Sequence, residues 1–141
     1  MSATGDRRES GATLLEMLVV VGLMGLIAGV TFPSLQGALD HARLEHARAD
    51  LVANLRLARA AAAREGHEIR VDLAADGASY GWEQTAVALP PGLKASAERE
   101  AMKFYVDGTS SGGVWTLGAK GRSLGVAVDP ATGVVAPASA G

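Results

Sequence analysis

Cysteine is absent from the 141 residues, which removes disulfide staples, thiolate metal sites and cysteine nucleophiles together. It leaves the compartment open, because exported domains can do without disulfides. Aromatic residues are nearly as scarce, with two each of Phe, Trp and Tyr. Any core must therefore be built mainly from aliphatic side chains, and its independent stability is modest. Charge of one sign is lacking as well: 13 Lys and Arg face 15 Asp and Glu, a formal net charge of -2. No bulk field draws such a chain to nucleic acid or to anionic lipid. Histidine is confined to His41, His46 and His67. The first two miss the i, i+4 spacing that puts two ligands on one helical face, and there is no HExxH. Ser110 and Ser111 have no G-x-S-x-G elbow around them, and Asp72, Asp76 and Asp107 fall in separate turns without the spacing of a calcium loop. The sequence offers no metal set, no cofactor motif and no catalytic set, so it does not read as an enzyme.

What is present begins at the N-terminus. Residues 1–10 are polar and carry Arg7 and Arg8, after which Gly11 to Leu39 contains a single charge, Glu16. As a helix at about 1.5 Å per residue, this run is long enough to cross a hydrocarbon core of roughly 30 Å. A fully buried core helix is disfavoured, because the remaining chain is too small to surround it. An ordinary secretory signal peptide is the main rival, but the apolar run is longer than the usual h-region and no convincing small-x-small site follows it. Arg7 and Arg8 before the span favour an N-terminus inside and the rest of the chain outside.

From Asp40 to Glu65 the pattern becomes amphipathic: Leu44, Ala47, Leu51, Leu55, Ala58 and Ala62 recur at spacings of three and four, with charges of both signs on the other faces. That stripe is expected to lie on a sheet, with Gly66 capping the helix. With the apolar half it makes one helix about 75 to 80 Å long. From His67 the period changes to alternation. Strands are expected at 69–73, 79–83, 93–97, 102–106, 114–117, 123–129 and 134–136, with Asp76-Gly77 as a hairpin turn, Pro90-Pro91-Gly92 as a break, and 137–141 as a fraying tail. The expectation is an α+β chain: a long N-terminal helix, transmembrane in its first half, packed on a small antiparallel β-sandwich. The stretch from Asp107 to Gly113 reads as a tight turn with glycines at positive φ; no Gly-Lys-Ser/Thr follows to make it a phosphate cradle.

Two resemblances give these features a family. Gly11-Ala12-Thr13-Leu14-Leu15-Glu16 resembles the type III signal of type IV pilins and type II secretion pseudopilins. The resemblance implies cleavage between Gly11 and Ala12 by prepilin peptidase, N-methylation of Ala12, an assembly role for Glu16 and a helix kink at Pro33. Ala12 stands where the family prefers Phe. Phe104-Tyr105-Val106-Asp107-Gly108-Thr109-Ser110-Ser111-Gly112-Gly113, followed by Thr132-Gly133-Val134, resembles the C-terminal signature of the GspH/FimT family, with Val106 and Val134 in place of its proline and arginine. Asp107, Gly108, Gly112 and Gly113 match its loop. Together they imply a pilin-like chain with a leader at 1–11, a transmembrane half at 12–39, an amphipathic half at 40–66 and a periplasmic β domain at 67–141. They imply single-pass insertion in a bacterial inner membrane and partnership with prepilin peptidase and with major and minor pseudopilins, without a cofactor. The function implied is that of a minor pseudopilin of type II secretion that joins or caps the pseudopilus. The alternative is a FimT-like minor pilin that binds DNA during uptake, which the sparse basic residues after Gly66 do not favour.

Overall fold

A computed structural model describes residues 13–138 and places one helix and eight strands among them. Helix α1 spans Leu14–Glu65. It starts at Thr13, whose Oγ1 accepts the Glu16 N–H at 3.2 Å and whose carbonyl accepts that of Met17 at 3.1 Å. Thr at the N-cap with Glu three residues on is the capping-box sequence, and an acid in the first turn complements the helix dipole. At the other end the Gly66 N–H donates to the Ala62 carbonyl at 3.1 Å and the helix stops.

By its contacts the chain divides into two units, one ending at Ala38 and the other running Leu39–Gly141. In the first, the large apolar side chains from Leu14 to Phe32 are all exposed. This is the one helix among the described residues long and apolar enough to cross a membrane. α1 continues through Pro33 as one element; the bend expected there concerns a side chain outside the described residues.

The second unit contains eight strands: β1 Ile69–Leu73, β2 Ser79–Trp82, β3 Thr85–Ala88, β4 Lys94–Ala97, β5 Ala101–Phe104, β6 Gly113–Ala119, β7 Arg122–Val128 and β8 Val135–Ala138. They form two antiparallel four-stranded sheets, ordered β3-β2-β1-β5 and β4-β6-β7-β8. All six stripe residues of α1 are buried, and Val52 joins them. Against them lie the inward faces of both sheets. In the first, Ile69 pairs with Phe104 and Val71 with Met102; in the second, Trp115 pairs with Val126 and Ala95 with Leu117. Alternation supplies these faces, since β1 buries Ile69 and Val71 while Arg70 and Asp72 point outward. Tyr80 ties the layers together: its ring meets Trp115 edge-on at 6.3 Å, and its hydroxyl accepts from Asn54 Nδ2 of α1 at 3.1 Å. Burial pushes the Tyr80 hydroxyl pKa above its ordinary value.

Three expectations need correction. β3 was not foreseen. β5 ends at Phe104, because Tyr105 turns out of the strand to accept the Gly108 N–H at 3.0 Å. Pro137 and Ala138 do not fray: they pair with Val126 and Gly125 in edge strand β8, where a proline's missing N–H is tolerated. Residues 139–141 lie outside the described ones.

Candidate functional site

Cleavage after Gly11 and methylation of Ala12 fall on positions outside the described residues. The first described candidate is Glu16, an exposed carboxylate in the first turn of α1, its backbone held by Thr13. This cap was missed from sequence, although Thr13-x-x-Glu16 before an apolar run is the signal that marks it. It means that Thr13 fixes where the helix begins, and hence the height of Glu16 above that start.

The family loop is the second candidate, and the structure builds it into a clamp. After β5, the Asp107 carboxylate accepts from the Thr109 N–H at 3.0 Å and from its hydroxyl at 2.6 Å, closing a tight turn. After β7, Asp129 does the same with Thr132, accepting from its N–H and hydroxyl at 2.8 Å each. These bonds hold both carboxyls below the ordinary carboxylate value. Ser110 joins the turns: its N–H donates to Pro130 O at 2.9 Å and its hydroxyl to Asp129 O at 3.0 Å, while its Oγ accepts from the Gly112 N–H at 3.0 Å. Among the described residues it is the one buried polar side chain, fully engaged with backbone. The hydroxyl that a nucleophile would use is therefore committed to holding the loop, and Ser111 Oγ accepts the Lys103 N–H at 3.0 Å.

Arg59 of α1 locks this clamp from beneath. Its Nε donates to Gly108 O at 3.3 Å and its Nη2 to Thr132 O at 2.8 Å, one bond to each turn; one turn of helix earlier, Arg56 Nη2 donates to Val135 O at 3.1 Å. By spacing both arginines fall among the mixed charges on the helix faces away from the stripe. In fact they satisfy carbonyls 49 to 79 positions away, which no local pattern announces. Two glycines are required. At Gly133 (φ +63) a Cβ would sit on the Gly108 carbonyl oxygen, and at Gly112 (φ +65) it would meet Pro130 Cβ at 3.0 Å. Asp107, Gly108 and Gly112 are thus one assembly, and what it does chemically is hold shape; Gly113, at φ +135, opens β6 beside it.

The weighed calcium set does not assemble: Asp72 pairs with Arg70, Asp76 accepts the Ala78 N–H, and Asp107 closes its own turn. Elsewhere Lys120 pairs with Asp40 at 2.7 Å and Lys103 with Glu68 at 2.7 Å. A cluster that the sequence reading missed joins Glu65, His67 and Glu83.

Comparison with known proteins agrees with both ends of this picture. Residues 6–32 match the family model of the prokaryotic N-terminal methylation motif. Over 47 residues the chain is 43% identical to type II secretion system core protein G of Aeromonas hydrophila, and over 48 residues 40% identical to that of Dickeya chrysanthemi. These matches span 33% and 31% of the relatives, so the chain covers about a third of their length. Among solved structures, it superposes on the type IV minor pilin FimU of Pseudomonas aeruginosa with a TM-score of 0.62 at 16% identity, covering 70% of this chain and 90% of that one. It superposes on the minor pseudopilin EpsH from the type 2 secretion system of Vibrio cholerae with a TM-score of 0.58 at 14% identity, covering 69% and 97%. The fold is pilin-like.

Proposed function

We propose that this chain is a minor pseudopilin of a type II secretion system, a structural subunit that joins or caps the pseudopilus. One conjunction carries the reading: an N-terminal methylation motif at residues 6–32 precedes a domain with the fold of a minor pseudopilin. In this reading prepilin peptidase cuts after Gly11 and Ala12 is methylated. The exposed apolar stretch of α1 crosses the inner membrane once, and the Leu39–Gly141 unit lies in the periplasm, where other pseudopilins contact it.

Glu16 is the charge that this reading must explain, since a carboxylate left unpaired in lipid costs about 2.5 to 3.5 kcal/mol on insertion scales. The helix dipole offsets at most about 1 kcal/mol of that. No Lys or Arg lies between Ala12 and Asp40; the resemblance to type IV pilins implies that the α-ammonium of a neighbouring mature subunit completes the offset.

A DNA-binding minor pilin is the competing reading, and the fold likeness to a type IV minor pilin is its support. Its weakness is the engagement of the cations: Lys103, Lys120 and Arg70 are ion-paired, and Arg56 and Arg59 are spent on backbone carbonyls. Few are left to neutralise phosphates.

The test is mass spectrometry of the mature N-terminus combined with a secretion assay in the native bacterium. The expected result is a chain starting at methylated Ala12, with Gly11→Val uncut. Glu16→Ala should be cleaved and inserted yet absent from the pseudopilus. A mature start beyond Phe32 refutes the reading; full assembly of Glu16→Ala refutes the pairing of Glu16 and points to a cap without a neighbour above it.

A further inference from the structure

Helix α1 ends on Glu65, the chain turns through Gly66, and His67 then faces the β2–β3 hairpin, whose turn carries Glu83. Their ligand atoms, one from each side chain, lie within 4.8 Å of one another. His67 Nε2 is 3.2 Å from Glu83 Oε1 and 3.9 Å from Glu65 Oε2. The second carboxylate oxygen of Glu65 is already taken by Arg64 Nη2 at 2.9 Å, which holds Oε2 toward the imidazole. All three side chains are open to solvent, with 54%, 50% and 35% of His67, Glu83 and Glu65 exposed, so an ion can enter without rearrangement of the core.

We propose that Glu65, His67 and Glu83 form a Zn²⁺ site that fastens the end of α1 to the β2–β3 hairpin. Ligand bonds of about 2.0 to 2.2 Å in a tetrahedron put the ligand atoms about 3.3 to 3.6 Å from one another, so the 3.2 and 3.9 Å separations to His67 need only small side-chain adjustment. The donor set selects the metal: a neutral imidazole with two carboxylates suits Zn²⁺, whereas Ca²⁺ takes six to eight oxygens. Three protein ligands leave the fourth position to water. Arg64 acts as the outer partner that orients Glu65, as such groups do in metal sites. Pairing of His67 with the two carboxylates accounts for the same distances without a metal, and calorimetric titration with Zn²⁺ separates the two.

The experiment is calorimetric titration of Zn²⁺ into the full chain in detergent micelles after chelator treatment, with near-ultraviolet circular dichroism to confirm folding of each variant. The expected result is one saturable site per chain, weakened about tenfold or more by His67→Ala and again by Glu83→Gln. The His41→Ala/His46→Ala double variant should bind as the wild type does. Zn²⁺ should raise the melting temperature of the wild type and not that of His67→Ala. Absence of saturable binding, binding that survives His67→Ala, or displacement of Zn²⁺ by excess Ca²⁺ overturns the proposal.

Discussion

Arg59→Met isolates the clamp, because methionine keeps the aliphatic stem and removes the guanidinium that joins the two turns. The bond to Thr132 O is 2.8 Å, and the one to Gly108 O is 3.3 Å. A hydrogen bond from a charged donor contributes about 1.5 to 3 kcal/mol, and less at the longer distance. Water reaches the Thr132 side of the clamp once the guanidinium is gone, so the low end applies and the summed loss should be about 2 kcal/mol. For a domain of this size that corresponds to a fall in Tm of about 8 to 16 °C. Arg59→Lys should lose about half as much, since one ammonium nitrogen does not span the two oxygens that Nε and Nη2 reach separately. The measurement is urea and thermal unfolding of the full chain in micelles, followed by the near-ultraviolet signal of the buried Trp115 and Tyr80. Arg43→Met, at a side chain 65% exposed, is the control and should stay within about 0.5 kcal/mol of wild type. If Arg59→Met also stays within that margin, the clamp contributes nothing and the reasoning is wrong.

Gly133→Ala should cost about 1 to 3 kcal/mol, because it adds strain at φ +63 to a collision with the Gly108 carbonyl; unfolding midpoints unchanged from wild type would contradict this. Acid should act through the two turn aspartates. Their folded pKa values lie below the ordinary 3.8, so their contribution is complete above that value and is lost as the pH falls through the depressed folded values. Stability of the Asp107→Asn/Asp129→Asn double variant should therefore fall less than that of the wild type between about pH 4 and pH 2; parallel curves would remove the effect. Truncation should divide sharply. A fragment from Leu39 keeps the whole core and should unfold cooperatively, whereas one from His67 loses seven of the nineteen buried apolar residues. Three leucines and a valine alone represent about 6 to 12 kcal/mol of burial, comparable to a domain's entire stability, so native near-ultraviolet dichroism in the shorter fragment would be inconsistent with this core.

What could be read from the sequence was whatever repeats at short range. The spacing of Leu44, Ala47, Leu51, Leu55, Ala58 and Ala62 announced the buried face of α1, and Asp76-Gly77 announced the first hairpin, whose turn the Asp76 carboxylate holds by accepting the Ala78 N–H at 2.9 Å. β3 was hidden because the β2–β3 turn is Glu83-Gln84, without Gly, Asn or Asp, and Glu83 takes φ 51 without the usual residue for it. β3 itself is an edge strand with three exposed residues and one half-buried, so no alternation marks it. Arg59 was hidden for a different reason. A charge on a helix reads as solvated unless its partners are visible, and those partners are backbone carbonyls that belong to no residue type. The Glu65–His67–Glu83 cluster likewise depends on a hairpin that was not expected.

The clamp also explains which positions of the family signature this chain keeps. Asp107, Gly108, Gly112, Gly113, Thr132 and Gly133 match the resemblance. Asp107 and Thr132 take part in the closing hydrogen bonds, Gly108 and Gly133 sit where the two turns touch, and Gly112 sits against Pro130. The two departures, Val106 and Val134, are exposed at 48% and 50% on the same two turns. Geometry holds the first group fixed: losing the Asp107 or Thr132 side chain breaks a bond, a Cβ at Gly112 or Gly133 meets an atom, and Gly108 and Gly113 sit at positive φ. Nothing internal constrains the second group. Exposed valines in place of a proline and an arginine change what the clamp presents to its surroundings and leave its construction intact. At Val134 the change removes a cation that would have stood at the surface. In the reading proposed above, an exposed apolar side chain at that position suits contact with another protein subunit better than contact with phosphate.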